Sequence, residues 1–188
     1  MTEVGYSINK GYVIMLDILG FREHVTNEIG YSFLDTWKEI INPIIEKANL
    51  MEKEPKYITK IDALFLSDTM FIGCGLKNPN ERFDIALSLM GIPWIIDDFF
   101  TQCMFKHKIF LRGAISFGEY AISDTRNMVM GPAVNECSEW YEKTNWMGII
   151  LTPSAQYAID AIVEHPKTRI YDDLRRLFKR FRPYDKIP

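Results

Sequence analysis

The sequence predicts an α+β fold, a mainly antiparallel sheet with helices packed on it, in the ferredoxin-like order β-α-β-β-α-β. Three observations predict it. Short, almost wholly apolar runs at Tyr12–Leu16, Met70–Gly75 and Met147–Thr152 read as strands, and the first has the character of a central strand buried on both faces. Segments with apolar residues three and four apart stand between such runs. The runs 57–66 and 70–75 are separated only by Ser67-Asp68-Thr69, a hairpin spacing, and a second hairpin is expected after 109–119.

In chain order, Tyr12–Leu16 is the first strand and Gly20 marks the turn that ends it. Tyr31–Leu50 follows as a helix, its core face made by Phe33, Leu34, Trp37, Ile40, Ile41, Ile44 and Ile45. The charged connector Met51–Lys56, with Pro55, leads into the first hairpin. Asn80 is the expected cap of the next helix, with Glu81 in its first turn. Pro93 lacks the N–H that would bond Leu89, so a kink is expected there or a break into two helices, the second from Ile95 to Lys106. Ile109–Glu119 is a strand with Leu111, Gly113 and Ile115 on one side and Arg112 and Ala114 on the other. Tyr120–Met130 returns as arm and loop, and Gly131-Pro132 opens a helix in the manner of proline at a first helical position. Val134, Cys137, Trp140 and Tyr141 face its core side, and Asn135, Glu139 and Glu142 share another. The strand Met147–Thr152, a helix Pro153–Ile162, a short strand Arg169–Tyr171 and a basic amphipathic helix Asp173–Arg182 complete the chain.

The 188 residues suit one domain with a real core, and an apolar content of 47% excludes disorder. A formal net charge of −3 does not advertise a nucleic-acid or membrane surface. From Lys167 onward eight Lys/Arg stand against three Asp, so this end is near +5 and the remainder near −8. Residues 1–166 therefore read as the functional domain and 167–188 as a basic C-terminal strand and helix extension. Cys74, Cys103 and Cys137 show neither C-x-x-C spacing nor neighbouring His, as expected of core thiols in a reducing compartment. No signal peptide or membrane-length apolar run is evident, and a cytoplasmic location is expected.

The chemistry-bearing residues gather around the first strand. Asp17 at the end of an apolar run would be costly to bury alone, so it needs a basic side chain or a divalent cation. Gly20, three residues on, suits a turn whose N–H groups face an anion. Asp68 at the hairpin tip has two readings, turn chemistry or a second metal ligand. In this fold the end of the first strand and the tip of the central hairpin are neighbours, and two ionised carboxylates in contact call for a cation or a shared proton. Oxygen-only ligation favours Mg²⁺ or Mn²⁺ over Zn²⁺. Arg112, in an apolar strand, needs an anion, either a carboxylate in a structural ion pair or a phosphate.

The blocks Met15-Leu16-Asp17-Ile18-Leu19-Gly20-Phe21, Leu66-Ser67-Asp68-Thr69-Met70, Arg112-Gly113-Ala114-Ile115-Ser116-Phe117-Gly118 and Gly131-Pro132-Ala133-Val134-Asn135-Glu136 resemble, in order, those of class III nucleotidyl cyclases. The resemblance spans roughly Tyr12 to Thr152. It implies two metal ions held by Asp17, Asp68 and the carbonyl of Ile18, with the amides of Leu19, Gly20 and Phe21 on the phosphates of a nucleoside triphosphate. It also implies attack of the ribose 3′-hydroxyl on the α-phosphorus, release of pyrophosphate, and head-to-tail homodimers with shared active sites. By the same resemblance Leu64 and Met128 occupy the base-reading positions, Asn135 matches the family asparagine, and Glu139 stands where an arginine is expected. Purine recognition is therefore not expected, and Arg112 would substitute for the missing arginine.

Leu-Arg-Gly-Ala-Ile together with Gly-Pro-Ala-Val-Asn-Glu is similar to the compact bacterial pyrimidine cyclases of the Pycsar anti-phage system, which implies UTP or CTP as substrate and a cyclic mononucleotide signal. A cyclase-homology domain that signals by dimerising without turnover is the alternative, favoured by Glu139. A nucleic-acid module using the basic tail is a third. A cyclase of this kind requires Asp17 and Asp68 to meet, with neither buried against a permanent cationic partner.

Overall fold

The computed structural model describes residues 8–21, 35–36, 38–43, 46, 58–123, 127–144 and 146–163. Its strands are β1 (Asn9–Leu19), β2 (Ile58–Leu66), β3 (Thr69–Leu76), β4 (Phe110–Ser123), β5 (Met128–Met130) and β6 (Gly148–Leu151). The helices are α1 (Arg82–Thr101), α2 (Pro132–Tyr141) and α3 (Pro153–Val163), and residues 38–43 are helical between β1 and β2. The expected C-terminal strand and basic helix lie outside the described residues. Among the described residues no helix is long and apolar enough to cross a membrane.

β1 lies between β3 and β4, antiparallel to both, and β2 flanks β3. The other edge of β4 is shared by two partners, the parallel β6 along Arg112–Ile115 and the antiparallel β5 along Ala121–Ser123. The result is the expected α+β architecture, with β1 as its central strand. A strand in that place has apolar layers above and below it, which is why Tyr12–Leu16 carries no charged side chain and only the Tyr12 hydroxyl as a polar group.

Alternation along the strands divides the core into two layers. Tyr12, Ile14, Leu16 and Ile18 join Ile72, Leu111 and Ile115 beneath Ile40 and Ile41, α1 through Ile92, Ile96 and Phe99, and α3 through Ala155 and Ile159. Val13 and Met15 join Leu64, Phe71, Ala114 and Tyr120 beneath α2, which contributes Ala133, Val134 and Cys137. Cys74 and Cys103 are buried thiols pushed up to about 12, and burial likewise holds Cys137 at about 11, so all three stay neutral core atoms at physiological pH.

α2 and α3 cover opposite faces of the sheet and are joined by one carboxylate. Glu136 on α2 accepts the Ser154 backbone N–H at 3.1 Å and the Ser154 hydroxyl, in the first turn of α3. The Ser154 hydroxyl oxygen in turn accepts the Phe117 N–H at 2.9 Å. Glu136 thus caps a neighbouring helix, where the N-terminal amides favour negative charge.

Two expectations are corrected. Helix α1 runs from Arg82 to Thr101 through Pro93 without the break into two helices, and a π-helical turn follows over Gln102–Lys106. A proline removes one backbone donor; the bonds on either side and the burial of Ile92, Ile96 and Phe99 keep the helix whole. The cap position belongs to Glu81, whose carbonyl accepts the Ile85 N–H at 3.1 Å, not to Asn80. The chain is held one residue further before the helix begins, in a turn where Glu81 N–H bonds the Asn78 carbonyl at 2.9 Å.

Gly113 is fixed by close approach. A Cβ there would sit 2.3 Å from the Met15 carbonyl oxygen of β1. Gly113→Ala is therefore expected to destabilise the protein by about 1–3 kcal/mol, seen as a lower denaturation midpoint with an unchanged urea m-value.

Candidate active site

The second layer of the sheet ends in charge. Asp17 continues the side of β1 that carries Val13 and Met15, and the strand register sets Thr69 opposite it on β3 and Arg112 opposite it on β4. The three side chains form one row across the sheet. Arg112 Nε donates to Asp17 Oδ2 at 2.8 Å, and Thr69 Oγ1 lies 3.5 Å from Oδ1. Behind Arg112 the ring of Tyr141, the last residue of α2, has its centroid 5.1 Å from the guanidinium carbon. Asp68 occupies the β2–β3 turn after Ser67, which takes a left-handed φ of 59°, and its carbonyl accepts the Ile18 N–H at 3.1 Å. That bond ties the hairpin tip to the residue after Asp17, so the two aspartates lie side by side as expected.

The second requirement turns on whether the cationic partner of Asp17 is permanent. Asp17 is only 7% exposed and is buried against Arg112, the structural ion pair that the sequence left open as one of two fates for the guanidinium. The compensation is partial. Burial is the largest influence and raises the Asp17 carboxyl above its usual range; the hydrogen bond and charge of Arg112 pull it down, and the neighbouring Asp68 pushes it up again. Arg112 is paired with Asp17 alone, and Asp68 adds a second acidic side chain near that pair, so acidic groups outnumber basic ones in the cluster.

That surplus is what a divalent cation would use. Mg²⁺ and Mn²⁺ commonly take one or two protein carboxylates and complete their shell from water and substrate phosphates. Asp17 and Asp68 offer hard oxygen donors of this type, although no group of three or more His, Cys, Asp or Glu with metal-binding arrangement occurs among the described residues. The donor set therefore fits a metal that arrives with a phosphorylated ligand better than a permanently resident ion.

The remaining expected residues divide. Leu19 is still within β1, opposite Phe110, and the bend begins at Gly20, whose φ of 73° favours glycine. Phe21 packs on the first core layer beside it. Leu64 is a core residue opposite Phe71, with 5% exposure, and offers no polar group to a base. Met128 pairs with Ser123, eleven residues along β4 from Arg112, about 36 Å if the strand ran straight. Asn135 is exposed in the first turn of α2. Sequence reasoning missed Thr69 and Tyr141 as members of the cluster. Tyr141 was assigned to the core, and it does pack on the second layer, but it also faces the charges. Its place seven residues after the buried Val134 was the available signal.

No family profile and no curated protein sequence matches the chain. Solved structures do. The adenylyl cyclase CyaB from P. aeruginosa superposes with a TM-score of 0.58 at 16% identity over 84% of each chain. The guanylate cyclase domain of RhGC from Catenaria anguillulae, solved in complex with GTP, gives 0.55 at 14% identity over 81% of this chain and 84% of that one. A class III adenylyl cyclase-like ATP-binding protein from Pseudomonas aeruginosa gives 0.55 at 16% identity, covering 92% of this chain and 40% of its own. The chain has the fold of class III nucleotidyl cyclase domains.

Burial sets a sign for pH dependence. A carboxyl whose folded pKa is raised binds protons more readily when folded, so its contribution to stability is full below the unfolded pKa and is lost as pH rises through the folded one. Urea denaturation across a pH series should show stability falling through a window just above the ordinary carboxylate range, and Asp17→Asn should flatten that fall.

Proposed function

We propose that this protein is a nucleotidyl cyclase that converts a pyrimidine nucleoside triphosphate, UTP or CTP, to the 3′,5′-cyclic mononucleotide and pyrophosphate, as a second-messenger signal in anti-phage defence. The observation that carries the proposal is the meeting of Asp17 and Asp68 where β1, the β2–β3 turn and the Gly20 bend converge. The class III fold supports the reaction type. The apolar Leu64 and Met128 at the base-reading positions support a base other than a purine.

In this assignment Asp17, Asp68 and the Ile18 carbonyl would hold Mn²⁺ or Mg²⁺, two ions per site, which would offset phosphate charge and lower the pKa of the attacking hydroxyl. The amides of Leu19, Gly20 and Phe21 orient the triphosphate, an arrangement that Gly20 permits by its backbone conformation. Arg112 carries a fixed positive charge toward the phosphoryl oxygens. Asn135 and Met128 complete the site from a second copy. Met128 lies toward the other end of β4 from Asp17, as suits a head-to-tail homodimer with shared sites.

A second reading is a cyclase-homology domain that binds nucleotide and signals by dimerising, without turnover. The ion pair between Arg112 and Asp17 favours it, as does Glu139 at the place of the expected arginine. Incubation with each of the four nucleoside triphosphates and Mn²⁺, followed by mass spectrometry, decides between them. Cyclic UMP or cyclic CMP is the expected product, and Asp68→Ala is expected to lower its rate at least about 100-fold, a loss typical of removing one group that stabilises transition-state charge. Nucleotide binding with no cyclic product from any of the four would establish the second reading.

A further inference from the structure

We propose that Arg112 and Tyr141 form a latch that keeps the Asp17 carboxylate closed to free divalent cations, so that metal and triphosphate are taken up together. The proposal rests on the assignment of Asp17 as a metal ligand. It adds Tyr141 as a positioning residue that acts through Arg112.

The latch follows from register and packing. Arg112 is directly opposite Asp17 on the adjacent strand, so the backbone pairing of β1 and β4 itself presents the guanidinium to the carboxylate. Arg112 is bonded through Nε at 2.8 Å, and Tyr141 stands behind it at cation–π distance, 5.1 Å from the guanidinium carbon. Tyr141 has little freedom to withdraw, because α2 is fixed to the sheet. The Cys137 thiol lies 3.3 Å from the Val13 carbonyl, and Ser138 Oγ lies 3.7 Å from Met15 Sδ. The guanidinium is thus held from two sides, by a carboxylate in front and a ring behind.

A divalent ion that approached Asp17 would meet a positive charge already bonded to it, and the two cations repel. Entry requires Arg112 to leave. Among the described residues only its Nε is bonded to a carboxylate, which leaves the terminal nitrogens for a second anion; a polyphosphate offers one, after which Asp17 is free to accept the ion. Metal and nucleotide then strengthen each other's binding by the same factor, as linkage demands. Tyr141 sets the size of that factor by stabilising Arg112 in the closed position. The hydroxyl of Tyr141 has no part in this; the ring face does.

The test is Mn²⁺ binding to the full-length protein, followed by the electron paramagnetic resonance signal of free Mn²⁺, with and without the 3′-deoxy forms of the four nucleoside triphosphates, which cannot cyclise. Wild-type protein should bind Mn²⁺ at least tenfold more tightly with a 3′-deoxynucleotide than alone, about 1.4 kcal/mol. Arg112→Met should bind Mn²⁺ alone at least tenfold more tightly than wild type, Tyr141→Ala at least threefold, and Tyr141→Phe, which keeps the ring, no more tightly. If Arg112→Met does not fold, the Tyr141 pair decides. Variants that bind Mn²⁺ alone no better than wild type, or a Tyr141→Phe that behaves as Tyr141→Ala, would overturn the latch. Failure of the catalytic proposal is read separately, from the absence of cyclic product.

Discussion

A carboxylate at the end of a buried strand is the constraint around which this protein is arranged. Burying an ionised Asp17 without a partner would cost several kcal/mol. Each neighbour of Asp17 offsets part of that cost or adds to it. Arg112 supplies the opposite charge and Thr69 a weak hydrogen bond, while Asp68 adds like charge beside them. A purely structural ion pair would gain nothing from a second carboxylate. Placing Asp68 there, on a turn tied by its carbonyl to Ile18, sets two acidic side chains against one basic one, the balance on which the proposed metal site rests.

Much of the fold was legible because burial writes itself into side-chain period. The central strand, the Ser67-Asp68-Thr69 turn and the Gly131-Pro132 helix start were each readable from a few residues whose chemistry admits little else. Boundaries were less so. Proline at position 93 is a local signal for interruption, but the core packing of α1 through Ile92, Ile96 and Phe99 outweighs one lost donor. The helix start shifted from Asn80 to Glu81 because a preceding turn, rather than side-chain propensity, set where the chain could begin to coil. The C-terminal elements lie outside the described residues and add nothing to the comparison.

The site was legible in its members and not in its pairings. Asp17, Asp68, Gly20 and Arg112 each stood out as a residue type at odds with its surroundings. Whether Arg112 would meet a carboxylate or remain free for phosphate depended on strand register, and a shift of one residue would have sent its side chain to the other layer. Tyr141 illustrates the complementary difficulty. A half-buried aromatic residue at helical spacing reads as core, and only the position of α2 over β4 reveals that its exposed side borders charge. The solved cyclase domains, at 14–16% identity, retain the fold while differing in most residues, so the backbone frame by itself says little about side-chain chemistry.

The bond from Glu136 to Ser154 bears on how the covering helix can move. Because one acidic group holds the start of α3 from the body of α2, a tilt of α2 must either drag α3 across the opposite side of the sheet or strip two amide and hydroxyl donors of their acceptor. Both alternatives are steep. The aromatic end of α2 therefore behaves as a rigid lever rather than a loose flap, and any rearrangement at the aspartates must be borne by side-chain rotation instead of by displacement of the helix.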